Sequence, residues 1–130
     1  MKIFLLTLLI ISTPFHDDTS VLKVQLTGLK STNGTIYTQL FNQEGEMVAR
    51  KSVTPEEDIT TIEFRLQPGK YAIRSFHDEN GNGRLDTTLF GIPRERYGYS
   101  NNVRGFMGEP AFRRQLFTFQ KDTTITIRHR

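Results

Sequence analysis

Short runs in which apolar and polar residues alternate, each ended by glycine, proline or asparagine, leave this chain few folds to choose from. An alternation of period two puts one face of a strand in a core and the other in water, and it does not suit a helix. Leu22, Val24 and Leu26 alternate with Lys23 and Gln25. After turn residues between Gly28 and Gly34, the stretch from Thr35 to Phe41 sets Ile36, Thr38 and Leu40 against Tyr37, Gln39 and Phe41, and Asn42 to Gly45 closes it. Met47 to Val53 reads as a third strand, stopped by Thr54-Pro55 and the acidic Glu56-Glu57-Asp58. Ile62, Phe64 and Leu66 then alternate with Glu63 and Arg65, and Gln67-Pro68-Gly69 leads into Lys70 to His77, which predicts a tight hairpin. Gln115 to Gln120 and Thr123 to Arg128, joined at Lys121-Asp122, predict a second hairpin. No stretch has the period of an amphipathic helix. About seven short strands with closely spaced turns imply an all-β fold, an antiparallel β-sandwich of the immunoglobulin-like or transthyretin-like kind. One long loop, from Asp78 to Ala111, interrupts the pattern, and a loop of about thirty residues in a compact domain is usually functional.

With 130 residues the chain suits one core and is short for two. It has no cysteine, so neither a disulfide nor a lipidated thiol can help hold or anchor it, and stability must come from packing, to which ten Phe and four Tyr contribute. The net charge is +3, and the basic residues are scattered. Only Arg113-Arg114 and Arg128-His129-Arg130 cluster, and no stripe with interleaved aromatics suggests nucleic-acid binding. Lys2 followed by the apolar run Ile3 to Ile11 and then Ser12-Thr13-Pro14 has the order of a secretory signal peptide. The alternative is a buried first strand. The run falls short of the roughly 20 residues that span a bilayer, and no later stretch is longer, so no transmembrane anchor is expected after leader removal. The expected organisation is a leader over residues 1–18, cut between Ser12 and Asp18, and a single sandwich domain over 19–130. Export to the periplasm, the cell envelope or the medium follows from it.

The long loop opens with Asp78-Glu79-Asn80-Gly81-Asn82-Gly83-Arg84-Leu85-Asp86. Side-chain oxygens at alternate positions, with a glycine to permit the sharp bend, are what a calcium ion needs to gather its six to eight hard ligands. Asp78, Asn80 and Asn82 would surround it, and the Arg84 carbonyl and Asp86 carboxylate would add two donors. An EF-hand is excluded, because its twelfth position must be a bidentate Glu and here is Leu89. The missing donor would then be Glu95 or a main-chain oxygen. With so few charges, affinity would be on the order of 10⁻⁴ to 10⁻³ M. Equally, Asn-Gly-Asn-Gly suits a tight turn without any metal.

Gly69-Lys70-Tyr71-Ala72-Ile73, then Phe76-His77-Asp78 through Asp86, Gly91-Ile92-Pro93 and Tyr97-Gly98-Tyr99-Ser100-Asn101-Asn102 together resemble the domain of unknown function 2141 family of exported bacterial proteins. The resemblance runs from about Leu22 to Ile127. It implies an exported β-sandwich and supplies no activity, substrate or partner. The Pro-Gly-Lys-Tyr hairpin is also similar to those of transthyretin-like and carboxypeptidase-regulatory-like modules, a likeness of fold only.

Tyr97, Tyr99, Ser100, Asn101, Asn102 and Arg104 bring aromatic, hydroxyl, amide and guanidinium groups together, as a site for carbohydrate or an envelope protein would. The same residues also suit a loop that packs its own aromatics. His77 beside Asp78, with Ser75 and Ser100 available, gives an alternative reading as a small hydrolase using the 78–111 loop, although no G-x-S-x-G accompanies them. Catalysis is not the expected role. Asn33-Gly34-Thr35 fits a glycosylation acceptor and, better, a turn.

Overall fold

A computed structural model describes residues 10–14, 16–90 and 94–130. Most of the apolar run of the expected leader lies outside these residues, as does Gly91-Ile92-Pro93. Among the described residues eight strands form: β1 (Ser20–Thr27), β2 (Thr35–Asn42), β3 (Met47–Val53), β4 (Thr60–Leu66), β5 (Gly69–Asp78), β6 (Tyr97–Tyr99), β7 (Phe117–Phe119) and β8 (Thr123–Arg128). They make two sheets, one in the order β4-β1-β8 and one in the order β3-β2-β5-β6, with β7 also on β5. The sheets pack face to face as a sandwich.

The alternation found in the sequence places the core. Leu22, Val24, Leu26, Ile62, Phe64 and Ile127 point inward from the first sheet, and Ile36, Leu40, Ile73 and Phe119 meet them from the second. On the outer face of the second sheet, the Tyr37 and Phe76 rings stack at 5.3 Å with Arg50 over Tyr37, and Arg74 lies over Phe41. These pairs cover apolar rings that the alternation turns toward water.

Neither expected hairpin forms. β4 pairs antiparallel with β1, from Ser20↔Leu66 to Leu26↔Thr60, while β5 pairs with β2, from Thr35↔Asp78 to Asn42↔Tyr71. The Gln67-Pro68 corner therefore passes from one sheet to the other. β7 likewise lies on β5, and β8 crosses to run parallel to β1, with Leu22↔Thr123 and Thr27↔Arg128. Turn residues mark where a strand stops, but a short Pro-Gly corner serves an arch between sheets as well as a hairpin.

Among its described residues the long loop holds two short elements that alternation could not reveal, β6 and a 3₁₀ turn at Ser100–Asn102, and α1 (Phe112–Gln115), a single helical turn, follows it at once. β6 and β7 follow one another along the same edge of β5, opposite Arg74–Phe76 and Gly69–Tyr71. Among the described residues no helix is long and apolar enough to cross a membrane.

Candidate functional site

β5 delivers Asp78 to the end of the sandwich, opposite Thr35, where it is fully buried. Gly34 makes that approach possible: a Cβ there would stand 2.0 Å from the Asp78 carbonyl oxygen. The Asp78 carboxylate accepts the backbone N–H groups of Gly81 (3.1 Å), Asn82 (3.3 Å) and Gly83 (2.7 Å), curling the chain around itself. Gly81 and Gly83 take φ of 73° and 76°, the left-handed values this coil requires. Asn80 and Asn82 turn the backbone further, their side-chain oxygens accepting the N–H groups of Asn82 (3.2 Å) and Arg84 (3.0 Å).

The coil brings the Asn80 and Asn82 amides onto Asp86, each donating from Nδ2 to one carboxylate oxygen. These two bonds, Asn82 first, hold the Asp86 carboxyl below its usual range. Glu95 comes up from the other end of the loop. It is only 8% exposed, and its Oε2 has no partner. Burial first, and then the Asp86 carboxylate beside it, push Glu95 up to about 7, with the Asp78 and Glu79 charges acting in the same direction. Glu79, Asn80, Asp86, Arg94 and Glu95 line an open depression, and Ser31 steadies Glu79 at 3.1 Å. Arg84, named for its carbonyl, sits exposed on the outer turn of the coil. Among the described residues no three His, Cys, Asp or Glu side chains converge on one point, so any cation here would draw on amide and main-chain oxygens as well.

Of the six residues expected to bind a ligand between Tyr97 and Arg104, three are spent on the backbone. Ser100 is fully buried; its hydroxyl donates to the Gln115 carbonyl and accepts the Ile73 N–H at 2.9 Å. Asn101 donates to the Arg114 and Leu116 carbonyls at 3.0 and 2.8 Å. Asn102 donates to the Thr126 carbonyl at 3.1 Å and accepts the Arg128 N–H at 2.9 Å. Both asparagines adopt positive φ, 61° and 51°, which this residue type tolerates best after glycine. They clamp β6 to α1 and β8. Tyr97, Tyr99 and Arg104, together with Asn102, border a groove of about 310 Å³ that also takes in Arg128 and Arg130. The Tyr97 and Tyr99 rings meet edge to face at 5.7 Å.

His77 offers the hydrolase alternative no accessible base. His77 is fully buried; its Nε2 lies against the Asn33 carbonyl and its Nδ1 has no partner. Ser75 belongs to a different buried chain, from Thr38 Oγ1 (3.1 Å) through Ser75 Oγ to His129 Nε2 (2.9 Å). His129 Nδ1 faces the Thr27 carbonyl, which can only accept, so Nδ1 carries the proton and Nε2 accepts from Ser75. Burial lowers His129 to about 4. This neutral, enclosed Ser-His pair joins β5 of one sheet to the residue that follows β8 of the other.

Fold and loop thus define the class: a small two-sheet β-sandwich domain with an oxygen-rich coil at one end. The chain belongs to the family described as uncharacterized protein conserved in bacteria (DUF2141), whose model matches residues 24–127. No curated protein matches it.

Proposed function

We propose that this protein is an exported, non-catalytic module of the bacterial cell envelope whose 78–95 loop is ordered by a bound calcium ion. The observation that carries the calcium reading is Glu95, a carboxyl nine-tenths buried with one oxygen unpartnered, facing Asp86 at the mouth of the coil. Two carboxylates pressed together repel unless a proton or a cation sits between them. Asp86, Glu95 and the amide oxygens of Asn80 and Asn82 are hard donors of the kind calcium takes. Asp78 acts from beneath as the former of the coil. The export half of the reading rests on the sequence of residues 1–14, a lysine and an apolar run ending at Ser12-Thr13-Pro14.

Thermal unfolding with excess chelator and again with 5 mM calcium, a concentration chosen at about 5 to 50 times the expected dissociation constant, tests the metal. Mass action then gives about 1–2 kcal/mol of extra stability, a rise of several degrees in Tm. Asp86→Ala should abolish the rise. An unchanged melting temperature in the parent protein would remove calcium from the proposal and leave the coil as a turn.

A further inference from the structure

Where β6 meets β8, two adjoining depressions open at the surface. The 310 Å³ groove takes in Arg104, Arg128 and Arg130 below the Tyr97–Tyr99 pair, and the second depression shares those three arginines and adds Arg96. The ion pairs among the described residues are His16–Asp18, Lys23–Glu63 and Arg74–Glu109, so none of these four guanidinium groups has a carboxylate partner. Arg96 gives one Nη1 bond to the Gly28 carbonyl; among the described residues the side chains of Arg104, Arg128 and Arg130 make no hydrogen bond. Like charges gathered in one place raise the energy of the fold unless something neutralises them.

The backbone that carries them is firmly held. Tyr97 and Arg130 exchange both backbone hydrogen bonds, at 3.3 and 3.0 Å, and Asn102 fixes the Arg128 N–H. Gly98 lets β6 lie close on β8, since a Cβ there would stand 2.6 Å from Ile127 Cγ2. The charged ends are free while their mounts are rigid, the arrangement that recognition of a charged ligand favours.

We propose that this groove binds a phosphate monoester carried on a sugar-sized body, with Arg104, Arg128 and Arg130 on the phosphate and the Tyr97–Tyr99 pair against the ring. A dianionic, three-oxygen head answers several guanidinium forks better than a single carboxylate does. The volume is that of a monosaccharide-sized ligand, and tyrosine faces stack on sugar rings while their hydroxyls stay wet. The proposal uses none of the residues of the calcium reading and stands or falls apart from it.

The test is calorimetric titration of the purified protein with glucose 6-phosphate, with glucose as the neutral control, together with flotation on phosphatidylcholine vesicles with and without phosphatidic acid. Saturable binding of the phosphate ester and none of glucose is expected, with affinity falling as salt rises. Arg104→Ala and Arg128→Ala should each weaken it about tenfold or more, the scale of a lost charge-assisted hydrogen bond, and Arg128→Lys should fall between. Since these side chains make no hydrogen bond among the described residues and repel one another, the variants should melt at the parent's temperature or slightly above it. Binding to phosphatidic acid vesicles alone, with the same dependence on Arg104 and Arg128, would keep the phosphate site and make a lipid headgroup its source. Equal affinity in parent and variants, or no binding of either phosphate form, would overturn the proposal.

Discussion

The buried Thr38–Ser75–His129 chain makes a pH dependence that can be worked out in advance. His129 is enclosed between the sheets, with its ring nitrogens on Ser75 and the Thr27 carbonyl, and the groups facing it with charge or titratable character are His77 and Arg96. Burial above all, and then His77 and Arg96, lower it from 6.5 to about 4, against a raising contribution from the Thr27 carbonyl. A lowered histidine favours the fold while both states are neutral, so its contribution is whole above pH 6.5 and is lost as pH falls toward 4, where the folded form finally takes the proton. At 1.36 kcal/mol per unit the full loss is about 3 kcal/mol, a large share of a small domain's stability. Glu95 opposes it. A carboxyl raised to about 7 favours the fold below its unfolded value of 4.5, and that contribution disappears as pH rises through 7. The parent curve alone would therefore look deceptively flat. Urea unfolding followed by far-ultraviolet circular dichroism from pH 8 to pH 4, on the parent and on His129→Gln, separates the two. The gap between parent and variant should narrow by about 3 kcal/mol on going from pH 7 to pH 4. Two curves that stay parallel across that range would refute the assignment of a buried, neutral His129.

Two further substitutions bear on the sites. Glu95→Gln should raise stability at pH 8 in chelator, because the carboxylate that is costly to ionise is gone, and should abolish the calcium-dependent rise in Tm; thermal melts with and without calcium read both. Ser100→Ala should cost about 1–3 kcal/mol in urea unfolding, since it strips a partner from the buried Ile73 N–H and from the Gln115 carbonyl.

Much of the fold could be read in the sequence because alternation reports burial directly. Leu22, Val24, Leu26, Ile36, Leu40, Ile62, Phe64, Ile73 and Ile127 all reach the core on the faces their spacing assigns. What alternation does not report is which strand lies beside which. Three residues are too few to show a period, so β6 passed as loop. The coil at Asp78 was readable because its glycines and asparagines follow one another in the chain. There the Asp78 oxygens accept three backbone N–H groups, a coil-forming role that the spacing of oxygen-bearing residues does not by itself announce. Ser100, Asn101 and Asn102 have the chemistry of a ligand site, and only their hydrogen bonds tell that they also clamp the backbone.

The unexpected arginine groove and the absence of the second hairpin have one cause. Arg96 and Arg104 flank β6 in one sheet, whereas Arg128 and Arg130 lie at and beyond the end of β8, aligned with the other sheet. Had β8 folded back on β7, as its sequence neighbourhood suggests, it would have extended the β5 sheet. By crossing to β1 and running parallel to it, β8 carries its last residues to the edge where β6 ends its own sheet, and the paired bonds between Tyr97 and Arg130 close the gap between the sheets. Gly98 gives the room for that closure against Ile127. Charges spread over 35 positions of sequence thus become neighbours through a change of sheet that no local pattern encodes, with 96 and 130 as its two ends. Widening Gly98 would part those two edges, and with them the arginines from opposite sheets that the groove needs together.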